Sequence, residues 1–139
     1  MNGPSSSLPS FQPNLYFVEL TVANIELSLE WYSGILNLQT ELVDSKGKFA
    51  LLRGGATRLA LKQGESKPGS VILSFQVENL EQFRHHIQEK GITIDQEIRF
   101  SEEGYRRLRL KDPDGYFLTV FSWNRKDQPG SGNQQDDSC

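Results

Sequence analysis

A short pattern occurs twice in this chain, fifty-five residues apart, and it constrains the fold more than any other feature. Val22-Ala23-Asn24-Ile25-Glu26 and Val77-Glu78-Asn79-Leu80-Glu81 each end an alternating apolar run and begin an amphipathic one. Such self-similarity indicates one small supersecondary unit used twice. Because a paired unit builds a site between its halves, equivalent positions in the two copies can be compared for chemistry.

Composition and charge narrow the classes of partner. The chain has 139 residues and a formal net charge of −3, so it carries no basic footprint for nucleic acid. No apolar run approaches the roughly 20 residues that a membrane span needs, and the N-terminus lacks the pattern of a secretory signal. Cys139 is the only cysteine, which rules out a disulfide framework and a paired-cysteine metal site. We expect a cytoplasmic protein without nucleic acid or membrane partners.

The polar, apolar-poor ends of the chain predict one folded domain between two tails. Residues 1–13 are predicted to be a disordered leader and residues 124–139 a disordered tail. The domain spans residues 14–123, with a first module over 14–63, a polar Gly/Pro linker, and a second module over 70–123.

Apolar spacing predicts the order β-α-β-β-β in each module. In the first module, strands are predicted over residues 16–22, 38–43, 48–53 and 58–62, with a helix capped by Asn24 after the first strand. In the second module, strands are predicted over residues 71–77, 92–99, 106–111 and 116–123, and the helix runs from the cap Asn79 to Gly91. Asp112-Pro113-Asp114-Gly115 has the residue order of a tight turn between the last two strands.

These segments resemble the vicinal oxygen chelate superfamily, which includes glyoxalases, bleomycin resistance proteins and extradiol dioxygenases. The resemblance lies in the strand at residues 18–22 followed by Ser28-Leu29-Glu30-Trp31-Tyr32, and in Lys111-Asp-Pro-Asp-Gly115 followed by an alternating strand. It implies an α+β fold of two βαβββ modules that form a curled mixed sheet. The helices would lie outside, and the ligand would lie in the cup, the concave side of the sheet.

The resemblance also implies four metal-ligand positions, one on each of four equivalent strands. Carried over by spacing, they fall on Phe17, about Ala60, Ile72 and Thr119. Metal sites require imidazole, carboxylate or thiolate ligands, and only the Thr119 hydroxyl is even a weak donor. His85 and His86 are adjacent in a predicted helix and point about 100° apart, so they cannot chelate one ion together. We therefore expect no metal and no other cofactor.

Alternation predicts which side chains line the cup. Val18, Leu20 and Val22 should pack under the first helix, and Leu73, Phe75 and Val77 under the second. The candidate ligand-binding residues are those on the opposite faces: Phe17, Glu19, Thr21, Ile72, Ser74, Gln76, Arg109, Phe117, Thr119 and Phe121. Apolar walls with a few convergent polar groups are typical of a small-molecule site.

Glu19 and Arg109 are the strongest polar features of this predicted lining. Arg109 suits a carboxylate or phosphate because its planar guanidinium donates two parallel hydrogen bonds. Alternatively, Glu19 and Arg109 pair with each other and satisfy each other's burial. Arg107 and Lys111 lie nearer to strand ends and are interpreted as solvated.

Three functions are compatible with this pattern. The first is a metal-free protein that binds a small hydrophobic or anionic molecule in the cup. The second is a lyase or dioxygenase-like enzyme, metal-free or with an atypical metal site, in which Glu19 is a possible general base once desolvated. The third is a protein-interaction module whose phenylalanines fill the cup. In each case open sheet edges favour a homodimer, with the cup formed within one chain or across two.

Overall fold

The computed structural model describes residue 11 and residues 13–123, which form ten elements in the order βαβββ, twice. The elements are β1 (Phe17–Val22), α1 (Ile25–Gly34), β2 (Gln39–Asp44), β3 (Phe49–Gly54), β4 (Thr57–Gln63), β5 (Ile72–Gln76), α2 (Leu80–Glu89), β6 (Gln96–Phe100), β7 (Tyr105–Lys111) and β8 (Phe117–Trp123). The predicted leader and tail lie outside the described residues, apart from Phe11 and Pro13. The fold is the predicted α+β arrangement of two βαβββ modules.

Each module forms one four-stranded mixed sheet. The first sheet has the order β1-β4-β3-β2, and the second has the equivalent order β5-β8-β7-β6. In each sheet the first strand pairs in parallel with the last, and the other pairs are antiparallel. The sheets do not close, so β1 and β5 each pair on one side only and are edge strands.

The repeated asparagines begin both helices, as predicted. Asn24 accepts a hydrogen bond from the backbone N–H of Leu27 through its side chain, and Asn79 accepts one from Gln82, each at 3.0 Å. Both asparagines have extended backbone, the usual conformation of an N-cap residue. The repeat is therefore a repeated strand-to-helix junction. No helix among the described residues is long and apolar enough to cross a membrane.

The segment after α2 departs from the predicted strand over residues 92–99, since β6 begins only at Gln96. Gly91 has a φ of 76°, and the N–H groups of Gly91 and Ile92 donate to the carbonyls of Gln88 and Ile87. These two bonds form a Schellman motif. Ile92 therefore ends the helix, and its N–H is not available to a sheet.

One apolar core is shared by both modules. Its large, fully buried members come from both helices and from the helix side of both sheets: Leu20, Val22, Tyr32, Leu52, Leu61, Leu80, Ile87, Leu108, Leu110, Leu118 and Val120. Leu73, Phe75 and Val77 pack against this core as expected. The helix sides of both sheets therefore face the same interior.

The turn between β7 and β8 fastens the second module to the first. The Tyr32 hydroxyl of α1 donates to the buried Asp112 carboxylate at 2.6 Å. The other oxygen of Asp112 accepts from the N–H groups of Asp114 and Tyr116, both at 2.9 Å. Burial raises the pKa of the Asp112 carboxyl, although these hydrogen bonds oppose the rise.

Candidate functional site

The candidate residues lie on two surfaces that face away from each other. We call these surfaces the outer faces, the sides of the two sheets opposite the shared core. Leu20 and Val22 point into the core, so Phe17, Glu19 and Thr21 lie on the first outer face. Because the helix sides of both sheets contact one core, the outer faces cannot meet within one chain. The chain alone does not form the closed cup.

The first outer face exposes apolar and acidic groups on its edge strand. Phe17 is 38% exposed and meets Phe49 edge-on, with ring centroids 6.4 Å apart. Glu19 is exposed beside the buried Ala60 of β4, its partner in register. No hydrogen bond or ion pair of Glu19 is present in the part of the chain that the structure describes. Glu19 is therefore available to a second molecule, but one chain does not desolvate it.

A compact charge cluster borders this face. Glu41 accepts from Arg53 at 2.8 Å and from Arg58 at 2.7 Å, and the Arg58 guanidinium lies 4.3 Å from the centroid of the Tyr16 ring. The hydrogen bond from Arg58 holds the pKa of the Glu41 carboxyl below its usual value. Glu41 pairs with both arginines, so the cluster keeps a net charge of +1 and forms a positively charged rim of the face.

Most of the remaining candidate ligand-binding residues lie on the second outer face, as register pairs between β5 and β8. Ile72 pairs in register with Phe117, and Ser74 pairs with Thr119. Gln76 and Phe121 form the next pair. Ile72 is 53% exposed, whereas Thr119 is only 7% exposed. The structure therefore brings Ile72, Ser74, Gln76, Phe117, Thr119 and Phe121 onto one surface.

Arg109 lies beside this row, on β7. It pairs in register with Thr119, and its guanidinium carbon lies 5.5 Å from the centroid of the Phe117 ring. Its Nε is buried and has no hydrogen-bond partner. No ion pair joins Arg109 to Glu19 among residues 13–123, so the pairing considered as an alternative does not occur within one chain.

The residues at the four metal positions implied by the resemblance do not fit a divalent ion. Phe17, Ala60 and Ile72 have no donor atom in their side chains, and Thr119 offers only a hydroxyl. No group of three or more His, Cys, Asp or Glu residues that could hold an ion occurs within the described residues. The Nε2 atom of His86 instead lies 3.0 Å from the carbonyl oxygen of Ile35. The Nε2 atom of His85 pairs with the Glu89 carboxylate on the exposed side of α2. Side-chain sites for zinc and other transition-metal ions are built from imidazole, carboxylate or thiolate ligands, which these four positions lack.

A groove on the core side separates the two modules. It has a volume of about 490 Å³ and is walled by Phe75, Phe83 and Val120, with Ser74 and Gln76 at its border. Its walls come from the helix sides of the sheets, so it is distinct from the predicted cup. It is a competing location for a ligand within a single chain.

The structure shows contacts of two groups of residues that the sequence did not reveal. Arg107 is half-buried and donates to Gln96 at 3.1 Å, and Lys111 lies 5.3 Å from the centroid of the Phe117 ring. Both belong to the second outer face. Lys111 is exposed there, as the sequence interpretation expected, whereas Arg107 is only partly exposed. Their alternation with Leu108 and Leu110 already placed them there. The buried pair of Tyr32 and Asp112 had no such signal, because spacing does not reveal contacts between modules.

Comparison with known proteins identifies a family. A family model described as the Glyoxalase/Bleomycin resistance protein/Dioxygenase superfamily matches residues 15–120. A search of curated proteins found no match.

Solved structures share the fold over nearly their full length. An integron cassette protein from the mobile metagenome of the Halifax Harbour sewage outfall is 25% identical, with a TM-score of 0.69 and coverage of 78% of this chain and 97% of that chain. A glyoxalase/bleomycin resistance protein/dioxygenase from Nocardioides is 18% identical, with a TM-score of 0.68 and coverage of 94% and 95%. A lactoylglutathione lyase from Agrobacterium tumefaciens is 13% identical, with a TM-score of 0.66 and coverage of 82% and 94%.

Proposed function

Since the chain belongs to the glyoxalase/bleomycin resistance protein/dioxygenase superfamily, we propose that it is a cytoplasmic protein that binds a small molecule without a metal. The ligand lies against the outer faces, where apolar side chains surround a few polar groups. Such a lining holds a small molecule by burying its apolar surface and fixes its orientation through the polar contacts.

One observation carries this proposal. The positions at which the resemblance expects metal ligands on the two edge strands hold Phe17 and Ile72, whose apolar side chains are 38% and 53% exposed. Each lies beside an aromatic side chain of its own face, since Phe17 meets Phe49 and Ile72 pairs in register with Phe117. Contiguous apolar exposure on a face marks a surface that another molecule covers. The chemistry of these positions therefore favours apolar contact over coordination.

A second copy of the chain completes the site in this proposal. The outer faces point apart, so the first face of one chain must meet the second face of a partner to enclose a ligand. The unpaired edges of β1 and β5 border these faces and are available for such an association. The functional unit is therefore a homodimer with two equivalent sites.

Metal analysis and ligand stabilisation test the binding function. Protein purified without chelators and without a metal-affinity tag should contain far less than one nickel, zinc, iron or manganese ion per chain. A saturating ligand present at one hundred times its dissociation constant should stabilise the native state by about 2.7 kcal/mol. A tightly bound stoichiometric ion would overturn the metal-free proposal, and the absence of stabilisation across aromatic, anionic and neutral compounds would overturn small-molecule binding.

Dilution tests the location of the site. Sedimentation should show a dimer, and ligand binding should decline in parallel with dimer dissociation. If isolated chains bind the ligand as well as the dimer does, the site lies within one chain and the shared site is wrong.

A further inference from the structure

Positive charges face one another on the second outer face. Arg107, Arg109 and Lys111 occupy alternate positions of β7 and share that face. Arg99 of β6 lies directly opposite Arg107 in register. Like charges placed directly opposite each other across two strands destabilise a sheet. This arrangement therefore carries a cost that an anion would remove.

The neighbouring carboxylates are committed elsewhere. Glu97 of β6 accepts from Arg84 of α2 at 2.9 and 3.0 Å, and Glu81 of α2 pairs with Arg106 on the opposite side of β7. A nitrogen and an oxygen form an ion pair when they lie within 4.0 Å of each other. Among the described residues, no carboxylate oxygen lies that close to a side-chain nitrogen of Arg99, Arg107, Arg109 or Lys111. A chain with a net charge of −3 thus presents a locally basic face.

Arg109 is held in place with an unused donor. Its guanidinium lies over the Phe117 ring, and the Thr119 side chain occupies the neighbouring position of β8. Its buried Nε–H has no acceptor within residues 13–123. Leaving a buried donor of a charged group unsatisfied is costly. The two terminal Nη groups of Arg109 are not buried in this way. A planar guanidinium can donate parallel hydrogen bonds to the two oxygens of a carboxylate or phosphate.

Aromatic rings continue the face beyond Arg107. Tyr105, Phe121 and Trp123 contact one another, with ring centroids 5.2 to 5.7 Å apart. Phe121 is the register partner of Arg107, so the ring cluster adjoins the basic row. A flat apolar group can stack on these rings while an attached anion reaches the arginines.

We propose that this face binds an aromatic oxyanion, a planar apolar molecule that carries a carboxylate or a phosphate. Arg109 and Arg107 bind the oxyanion, Lys111 and Arg99 add to the positive potential, and the aromatic cluster holds the planar body. This inference rests on the proposed small-molecule function and names the class of ligand for that same site.

Four naphthalene probes test the charge requirement on the dimeric wild-type protein. They are 2-naphthoate, 2-naphthyl phosphate, the neutral 2-naphthamide and the cationic 2-naphthylmethylammonium, with binding measured by calorimetry. At least one anion should bind at least about tenfold more tightly than the amide, because a hydrogen-bonded charge contributes on that order. The cation should bind more weakly than the amide. A preference for naphthoate over the phosphate, or the reverse, identifies which oxyanion fits.

Variants of one strand test the residues. Arg109→Gln and Arg107→Gln should each weaken binding of the preferred anion about tenfold and leave that of the amide within about twofold. Arg106→Gln is the matched control, because it removes the same charge from the other face of β7, where Arg106 pairs with Glu81. It should leave binding of the anion within about twofold. Thermal unfolding of all three variants establishes that they are folded.

Three results would overturn the inference. They are equal binding of the anions and the amide, unchanged anion binding in both Arg109→Gln and Arg107→Gln, and no saturable binding of either anion. In these cases the proposed function still stands if other compounds stabilise the metal-free dimer.

Discussion

At the scale of single residues, the buried pair of Tyr32 and Asp112 dominates the junction of the modules. Tyr32 is fully buried and its hydroxyl donates to a carboxylate that is itself only 5% exposed. Burial and the nearby Asp112 charge both raise the pKa of the Tyr32 hydroxyl, so it stays protonated and donates at every physiological pH. The pair therefore provides a permanent link between α1 and the turn before β8.

Removing that hydroxyl should destabilise the protein strongly. In Tyr32→Phe the Asp112 carboxylate keeps its two backbone donors but loses its third, so we expect the free energy of unfolding to fall by about 1–3 kcal/mol. Urea denaturation measures the change. Tyr16→Phe is the control, because Tyr16 is 50% exposed, and its effect should stay within about 0.5 kcal/mol. Equal losses in the two variants would contradict the role of the bond.

The raised pKa of Asp112 has a consequence for the pH dependence of stability. An unfolded aspartate has its ordinary pKa of 3.8, and the folded value is higher because of burial. Between these two values the native state binds more protons than the unfolded state, so the free energy of unfolding falls as pH rises. The stabilising contribution of Asp112 is fully present below pH 3.8 and is lost as pH rises through the folded pKa.

Comparison with Asp112→Asn isolates this effect. The difference in unfolding free energy, wild type minus variant, should be larger at about pH 4 than at about pH 7, because only the wild type titrates there. Hydrogen bonds from arginines lower the pKa values of the Glu41 and Glu81 carboxyls, so their contribution to the free energy of unfolding is lost as pH falls. This loss is the same in the wild type and in Asp112→Asn, so it cancels in the difference. A difference that grows with rising pH would mean that folding lowers the pKa of Asp112.

At the scale of elements, local signals predicted most of the fold. Alternation located all eight strands, and the two asparagines located both helix starts, because these signals depend on neighbours in sequence. The exception is the segment after Gly91, where Ile92 and Ile94 suggested a strand. Both residues do pack against the core, but the N–H of Ile92 belongs to the end of α2. Periodicity reports burial and does not report hydrogen bonding.

Two glycines at helix ends should respond to alanine in opposite directions. Gly34 lies in α1 and Gly91 follows α2 with a φ of 76°, and a Cβ at either would meet no atom within 4 Å. Gly34→Ala should therefore stabilise by up to about 1 kcal/mol, since alanine is the better helix former. Gly91→Ala should destabilise by about 1–2 kcal/mol, because its Cβ is unfavourable in the left-handed conformation. Urea denaturation distinguishes the signs, and changes of equal sign would contradict the Schellman end of α2.

At the scale of the whole molecule, the sequence predicted the two faces but not their relation. Glu19 and Arg109 were each placed on a face opposite the helices by alternation, and the structure agrees. Alternation alone cannot tell whether two sheets turn these faces together or turn their helix sides together, because either arrangement buries one apolar side of each sheet. The shared core shows that one chain turns its helix sides together, which supports the proposal that a second copy closes the site.

Mixing two variants tests whether the site is shared between chains. Phe17→Ser alters the first outer face, and Arg109→Gln alters the second. Each should reduce binding of the preferred naphthalene anion in its own homodimer, since loss of a central aromatic or arginine anchor removes much of the binding energy. In a mixed dimer, however, one site combines the unaltered first face of one chain with the unaltered second face of the other, and the other site carries both changes.

After subunit exchange of equal amounts, half of the dimers are mixed and each has one intact site. About one quarter of the wild-type number of sites should therefore return at wild-type affinity, which calorimetry of the mixture measures. A site built within a single chain would return no intact sites, because every chain carries one altered face. A Phe17→Ser homodimer that binds normally would likewise contradict the arrangement, since the first outer face would then take no part in the site. Sedimentation of each variant establishes that both remain dimeric, so that lost binding reports the site and not the assembly.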